Sequence, residues 1–181
     1  MTITQRSNLI DVSFAVCTAL DRVGTVAILT GGSAATYYAP DRYQSRDADF
    51  VITIQTNPGA SASALENLGF TEQGGIHRHT HSRHTLDFPP GPLAVGAEII
   101  RKYETVRRGE EVLNVLSRTD CVRDRLTAFY HWDDRSSLRT ALVVATSGEI
   151  DFDKIARWSK SESSVDKFNE FARGLTALEK T

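Results

Sequence analysis

The sequence predicts an α+β fold with a helical C-terminal part. Three observations carry that reading. Val26-Ala27-Ile28-Leu29 is an apolar run that stops at Thr30-Gly31-Gly32-Ser33. Phe50-Val51-Ile52-Thr53-Ile54 is a second such run, with apolar residues on both faces, as a central strand requires. From Ser117 onward, apolar residues recur at helical spacing. The 181 residues suit one domain, or a core with a small appended helical part. We place the core at 1–116 and a helical region packed on it at 117–181.

Composition narrows the classes. With 40% hydrophobic and 24% charged residues the chain reads as globular. A net charge of −2 excludes a chain that attracts nucleic acid over its whole surface. Local basic pairs remain: Arg78 with Arg83, Arg101 with Lys102, Arg107 with Arg108, and Arg123 with Arg125. Cys17 and Cys121 lie in apolar helical patterns and read as reduced core residues. The start, MTITQRSN, has neither the basic beginning nor the apolar core of a signal peptide, and no stretch reaches the length of a membrane span. A cytoplasmic location is the expectation.

Asn8 to Leu20 is an amphipathic helix with Ser7 or Asn8 as its N-cap. Val26 to Thr30 is the first strand, Gly31-Gly32-Ser33 a turn, Ala34 to Tyr38 a short helix, and Asp47 to Ile54 the second strand. Thr56 to Gly59 is a turn, and Ala60 to Leu68 a helix stopped by Gly69. Phe70 to Gly75 reads as strand and turn, and Ile76 to Phe88 as the next strand region, ended by Pro89-Pro90-Gly91-Pro92. Glu98 to Val106 and Glu111 to Leu116 form a hairpin with Gly109 in its turn. A helix starting at Ser117 to Asp120, capped by Thr119 or Ser117, precedes helices at Ser136 to Thr146, Ile150 to Ser159 (capped by Asp151 or Asp153) and Val165 to Leu178. Trp132 and Trp158 read as core or interface residues. Asp134 and Arg135 read as ion-pair partners.

Chemistry concentrates between Ile28 and Ile54. Side chains alternate along a strand, so Asp47 and Asp49 share a face. Two carboxylates that close repel unless a positive charge lies between them, and Mg²⁺ takes oxygen ligands. Gly31-Gly32-Ser33, between a strand and a helix, offers backbone N–H groups to a phosphate. Asp87, between Leu86 and Phe88, points away from its apolar neighbours and is either ordinary alternation or a third carboxylate facing the pair. His77, His79, His81 and His84 precede it, and a His-x-His pair can chelate zinc; a polar surface hairpin is the simpler reading.

Gly31-Gly32-Ser33, a helix, and then Ser45-x-Asp47-x-Asp49-Phe50 resemble the nucleotidyltransferase superfamily, with the DNA polymerase β-like fold. Tyr37-Tyr38 after the glycines, and Asp87-Phe88-Pro89 with Gly91-Pro92-Leu93, look most like its AbiEii toxin-like branch. The resemblance implies a mixed β-sheet flanked by helices. It implies Mg²⁺-dependent transfer of a nucleoside monophosphate from an NTP to a hydroxyl. Asp47, Asp49 and Asp87 would be the catalytic metal ligands, and Gly31, Gly32, Ser33 and Arg125 the nucleotide contacts. Arg125 stands where that branch carries a lysine; its rival role is an ion pair with Asp124 or Asp120. The implied acceptor is RNA, including transfer RNA, or a protein hydroxyl. The implied setting is a toxin–antitoxin pair with a cognate partner. The rival classes are a catalytically silent nucleotide- or partner-binding protein of the same fold, a His-rich phosphohydrolase holding Zn²⁺ or Mn²⁺, and a purely structural protein.

Overall fold

The computed structural model describes residues 2–179. Helix α1, Leu9–Asp21, begins where Asn8 accepts from the Asp11 amide and the Asp11 carboxylate accepts from the Asn8 amide. Its buried face (Leu9, Val12, Val16, Leu20) lies on the sheet. Strand β1, Thr25–Leu29, leads into helix α2, Gly31–Tyr38, and strand β2 covers Asp47–Gln55. Gly31-Gly32-Ser33 is therefore not a free turn but the first turn of α2. Helix α3, Pro58–Asn67, takes in the predicted turn residues Pro58 and Gly59, because Asn57 caps the Ala60 amide and proline suits a first helical position.

Strands β3, Phe70–Gln73, and β4, Ile76–His79, pair antiparallel through Gly74-Gly75. The expected single strand region from Ile76 to Phe88 is two strands: the chain turns at 80–84 and returns as β5, Thr85–Asp87. The expected long arm from Glu98 to Val106 is also divided. Strands β6, Ala94–Val95, and β7, Glu98–Ile99, form a separate small ladder, while β8, Glu104–Arg108, pairs with β9, Glu111–Val115, around Gly109.

The main sheet has seven strands in the order β3-β4-β5-β2-β1-β9-β8. It is mixed: β2 runs parallel to β5 and β1 parallel to β9, while the other pairs are antiparallel. Helices α1 and α3 cover one face, where Leu20, Leu65, His77 and Phe88 surround a cavity of about 190 Å³.

Helix α4, Arg118–Trp132, capped by Ser117, packs on α2 and on α5, Arg135–Ala145. Helix α6, Phe152–Ser161, is capped by Asp151, and α7, Val165–Glu179, packs on α5 and α6. Arg123, fully buried, pairs with Asp120 and Glu98 and so ties α4 to the β6–β7 ladder. Lys154 of α6 reaches the same Asp120 at 2.8 Å. Both cysteines are buried and free. Trp158 is buried, but Trp132 is 75% exposed and belongs to no core. Asp134 and Arg135 do not pair: Asp134 caps α5 through the Ser136 amide and Ser137 hydroxyl, and Arg135 pairs with Asp133 and Glu170. Among the described residues no helix is long and apolar enough to cross a membrane.

Candidate active site

Parallel pairing of β2 with β5 assembles the acids. The register sets Asp47 against Thr85 and Asp49 against Asp87, and the β4–β5 pairing sets Ile76 against Asp87. Cross-strand partners share a face. Asp47, Asp49, Thr85, Asp87, Ile76 and Arg78 accordingly line one cleft of about 260 Å³. The Thr85 hydroxyl donates to Asp47 Oδ1 at 2.6 Å, fixing that carboxylate's rotation.

Asp49 is held by its backbone. Its amide donates to Ser33 Oγ (3.1 Å), and its carbonyl accepts from the Thr30 amide (2.9 Å) and hydroxyl (3.3 Å). The start of α2 is thus clipped onto β2, and Gly31 is pressed against the Asp49 carboxylate. A Cβ on Gly31 would lie 2.7 Å from Asp49 Oδ2 and 3.6 Å from an Arg125 guanidinium nitrogen. Gly31 also has φ +60°, a conformation that favours glycine. A Cβ on Gly32 would meet Tyr43 Oη at 2.9 Å and Ser45 Oγ at 3.2 Å.

The predicted nucleotide contacts are therefore arranged unequally. Gly31 and Arg125 border Asp49. The Ser33 hydroxyl is buried and occupied, donating to the Thr30 carbonyl (2.7 Å) while accepting from Asp49. Only its backbone amide, with those of Gly31 and Gly32, belongs to the helix start that lacks intrahelical acceptors. Arg125 is paired with Asp124 at 2.6 Å, not with Asp120. Burial works against its charge, and the Asp124 carboxylate more than offsets this, holding its pKa above the usual arginine value.

Charge in the cleft is unbalanced. Burial first, and the Asp87 carboxylate second, push the Asp49 carboxyl up to about 6, against the weaker pull of Arg125. Among the described residues, no three or more His, Cys, Asp or Glu side chains converge as a ready metal cage. Mg²⁺ in phosphate chemistry does not need one, since it is commonly held by one or two carboxylates together with substrate phosphates. The oxygen-only donor set and the surplus of negative charge fit such an ion.

The histidines do not join this cleft. Alternation along β4 turns His77 and His79 to the opposite side from Arg78. His77 packs edge-on to Phe88 (5.1 Å), and His79 packs against Phe70 (5.0 Å) with Nε2 3.0 Å from the Leu68 carbonyl. His81 lies in the exposed turn, and His84 is buried beside Arg46 and Arg83. Cleft-lining residues that sequence reasoning missed include Thr85, Ile76 and the charged Arg78. The alternation that set Asp87 apart from Leu86 and Phe88 would have found Arg78, had the strand's true limits been known.

The fold has a solved counterpart. A crystal structure of an antigenic nucleotidyltransferase-like protein from Paracoccidioides brasiliensis superposes with a TM-score of 0.64, covering 96% of this chain and 94% of that one at 14% identity. The fold is that of a nucleotidyltransferase-like protein. Two structures of the antibiotic-resistance factor ANT(2'')-Ia also align, each at 16% identity. The solution structure covers 95% of both chains with a TM-score of 0.48. The complex with adenylyl-2"-tobramycin covers 91% of this chain and 97% of that one with a TM-score of 0.46. No protein-family profile matches the chain, and no curated protein matches it in sequence. The likeness to the nucleotidyltransferase-like fold thus rests on shape.

Proposed function

We propose that this protein transfers a nucleoside monophosphate from an NTP to an acceptor hydroxyl. In that reaction the acceptor oxygen bonds to the α-phosphorus, the bond to the bridging oxygen breaks, pyrophosphate leaves, and the hydroxyl proton is released. The observation that carries the reading is the register of Asp49 against Asp87, which draws two carboxylates to one place beside Gly31. A sheet gains no stability from like charges set directly opposite one another. Such an arrangement makes sense where charge is to be neutralised by a ligand.

Asp47, Asp49 and Asp87 would hold Mg²⁺. When bound, that ion supplies Lewis-acid activation and neutralises phosphate charge. Thr85 orients Asp47, and the Thr30 and Ser33 contacts fix the Asp49 backbone, so the carboxylates need little rearrangement. The first amides of α2 and the Arg125 guanidinium would bind donor phosphates. The acceptor we favour is RNA, including transfer RNA ends, with a protein hydroxyl as the competitor. Membership of the AbiEii toxin-like branch and a toxin–antitoxin role with a cognate partner complete the proposal and rest on the motif resemblance; a cytoplasmic setting is proposed with them, independently of the motif.

The test is incubation with Mg²⁺, each α-labelled NTP in turn, and total cellular RNA, with Asp49→Asn as control. Label in RNA that the variant loses supports the reading and identifies the nucleotide. Label on protein moves the acceptor to a polypeptide. Nucleotide binding without any transfer, in wild type and variant alike, would favour the silent binding protein.

A further inference from the structure

Beside the acidic cleft lies a second, larger hollow of about 540 Å³, lined by Gln44, Ser45, Arg46, Arg83 and His84. Among the described residues no carboxylate lines it. Among the described residues neither Arg46 nor Arg83 is in a salt bridge. Two arginines thus line one polar hollow without a salt-bridged carboxylate on either.

The hollow is built from within. His84 is only 4% exposed. Its Nδ1 lies 3.0 Å from the Arg46 carbonyl, and its Nε2 lies 3.4 Å from Arg83 Nε. A carbonyl can only accept and a guanidinium can only donate, so Nδ1 carries the proton and Nε2 offers its lone pair. One buried imidazole thus braces the backbone of the first arginine and the side chain of the second. The Ser82 hydroxyl accepts from the His84 amide and closes the turn.

Its position relates it to the acids. Arg46 immediately precedes Asp47, and His84 immediately precedes Thr85, the register partner of Asp47. The hollow therefore adjoins the acidic cleft across the start of the β2–β5 pair. Ser45 on its wall also approaches Gly32.

We propose that the Arg46–Arg83 hollow is a phosphate-binding site. It would hold a phosphate of a substrate whose reacting atoms occupy the acidic cleft. Arginine forks match phosphate oxygens bidentately; Arg83 spends its Nε on His84, and the terminal nitrogens of both guanidinium groups have no carboxylate partner among the described residues. The phosphate belongs either to the donor triphosphate or to the backbone of a polynucleotide acceptor. The assignment of the neighbouring cleft rests on the function proposed above; binding by the hollow can be read without it.

The experiment measures binding of three probes to the full chain by calorimetry: pyrophosphate in EDTA, ATP with Mg²⁺, and a short single-stranded oligoribonucleotide. The variant is Arg46→Gln with Arg83→Gln, both exposed side chains, and Arg101→Gln with Lys102→Gln is the charge-matched control. Pyrophosphate binding weakened about tenfold or more in the variant, and unchanged in the control, supports the site. A matching loss for ATP alone assigns the donor phosphate, and for the oligoribonucleotide alone the acceptor backbone. Absent pyrophosphate binding, or binding that the variant retains, overturns the site. Transfer is assayed separately: wild-type protein that binds pyrophosphate through these arginines yet transfers nothing would count against the catalytic reading while the site stood.

Discussion

Asp49 of β2 and Asp87 of β5 are direct register partners on adjacent parallel strands, so two carboxylates meet on one sheet face. Burial, and then the Asp87 charge, raise the Asp49 carboxyl to about 6. A carboxyl whose folded value is raised binds its proton more tightly in the folded state. Its contribution is harmless below about pH 4, turns destabilising as pH rises from there, and reaches its full cost above about 6. Asp49→Asn is therefore expected to abolish transfer and to make the fold more stable at pH 7, by about 1–2 kcal/mol after discounting for partial exposure. The gain should vanish near pH 4. Urea unfolding of both proteins at the two values checks this, and an equal difference at both would sink it.

The same imbalance predicts a response to metal. Mg²⁺ at millimolar concentration should raise the melting temperature of the wild-type protein at pH 7, because a ligand that binds the folded state stabilises it. EDTA should reverse the rise, and Asp49→Asn should show little of it. Below pH 6 the effect should shrink as Asp49 takes up its proton. A rise that persists in Asp49→Asn would place the ion elsewhere.

Gly31 tests the clip between α2 and β2. Gly31→Ala forces a Cβ to within 2.7 Å of Asp49 Oδ2, at φ +60°. A loss of about 1 kcal/mol or more of stability is expected from the backbone alone. Activity should fall further than that, since the carboxylate itself must move. Gly32→Ala meets only the ends of Tyr43 and Ser45, which can shift, and should be milder on both counts. Paired unfolding and transfer assays rank the two.

Asp120 and Arg123 form the buried tie between α4, α6 and the β6–β7 ladder. Burial works against the Asp120 carboxylate, but hydrogen bonds from Lys154, Ser117 and Arg123 outweigh it and hold its pKa below the usual carboxylate range. Stability from a depressed carboxyl is present above the unfolded value and lost as pH falls through the folded one. Acid unfolding of wild type should thus include a loss below about pH 4 that Asp120→Asn lacks. At pH 7 that variant takes from Arg123 one of its two carboxylates, Glu98 remaining, and from Lys154 its partner, at a cost of about 1.5–3 kcal/mol. Chemical denaturation at pH 7 measures it.

Much of the fold was legible because it is locally encoded. The capped apolar stripe of α1, the runs of β1 and β2, and the starts of α4 and α6 all follow from neighbours in the chain. A hairpin between Ile76 and Phe88 was legible, but the place where it turns, and so the limits of β4 and β5, was not. The turn at 80–84 is a polar stretch within a polar strand, with no glycine or proline to mark it. Without the position of that turn, the side to which Arg78 points was hidden, although the histidines themselves already read as a polar hairpin. Of the two readings for Trp132, core or interface, the core one fails: it falls in the last turn of α4, away from its packed side.

By itself the sequence determined that Asp47 and Asp49 share a face, since strand alternation is a property of the backbone. It also determined that glycines stand at the end of β1. Only the tertiary structure decided that Asp87 lies opposite Asp49, that the Asp49 carboxylate takes the space a Cβ on Gly31 would need, and that Arg46 and Arg83 share a hollow. Those relationships depend on which strands pair and in which register. The burial of Leu86, Phe50 and Ala48 between the sheet and its helices sets that register cooperatively, over distances no local pattern spans.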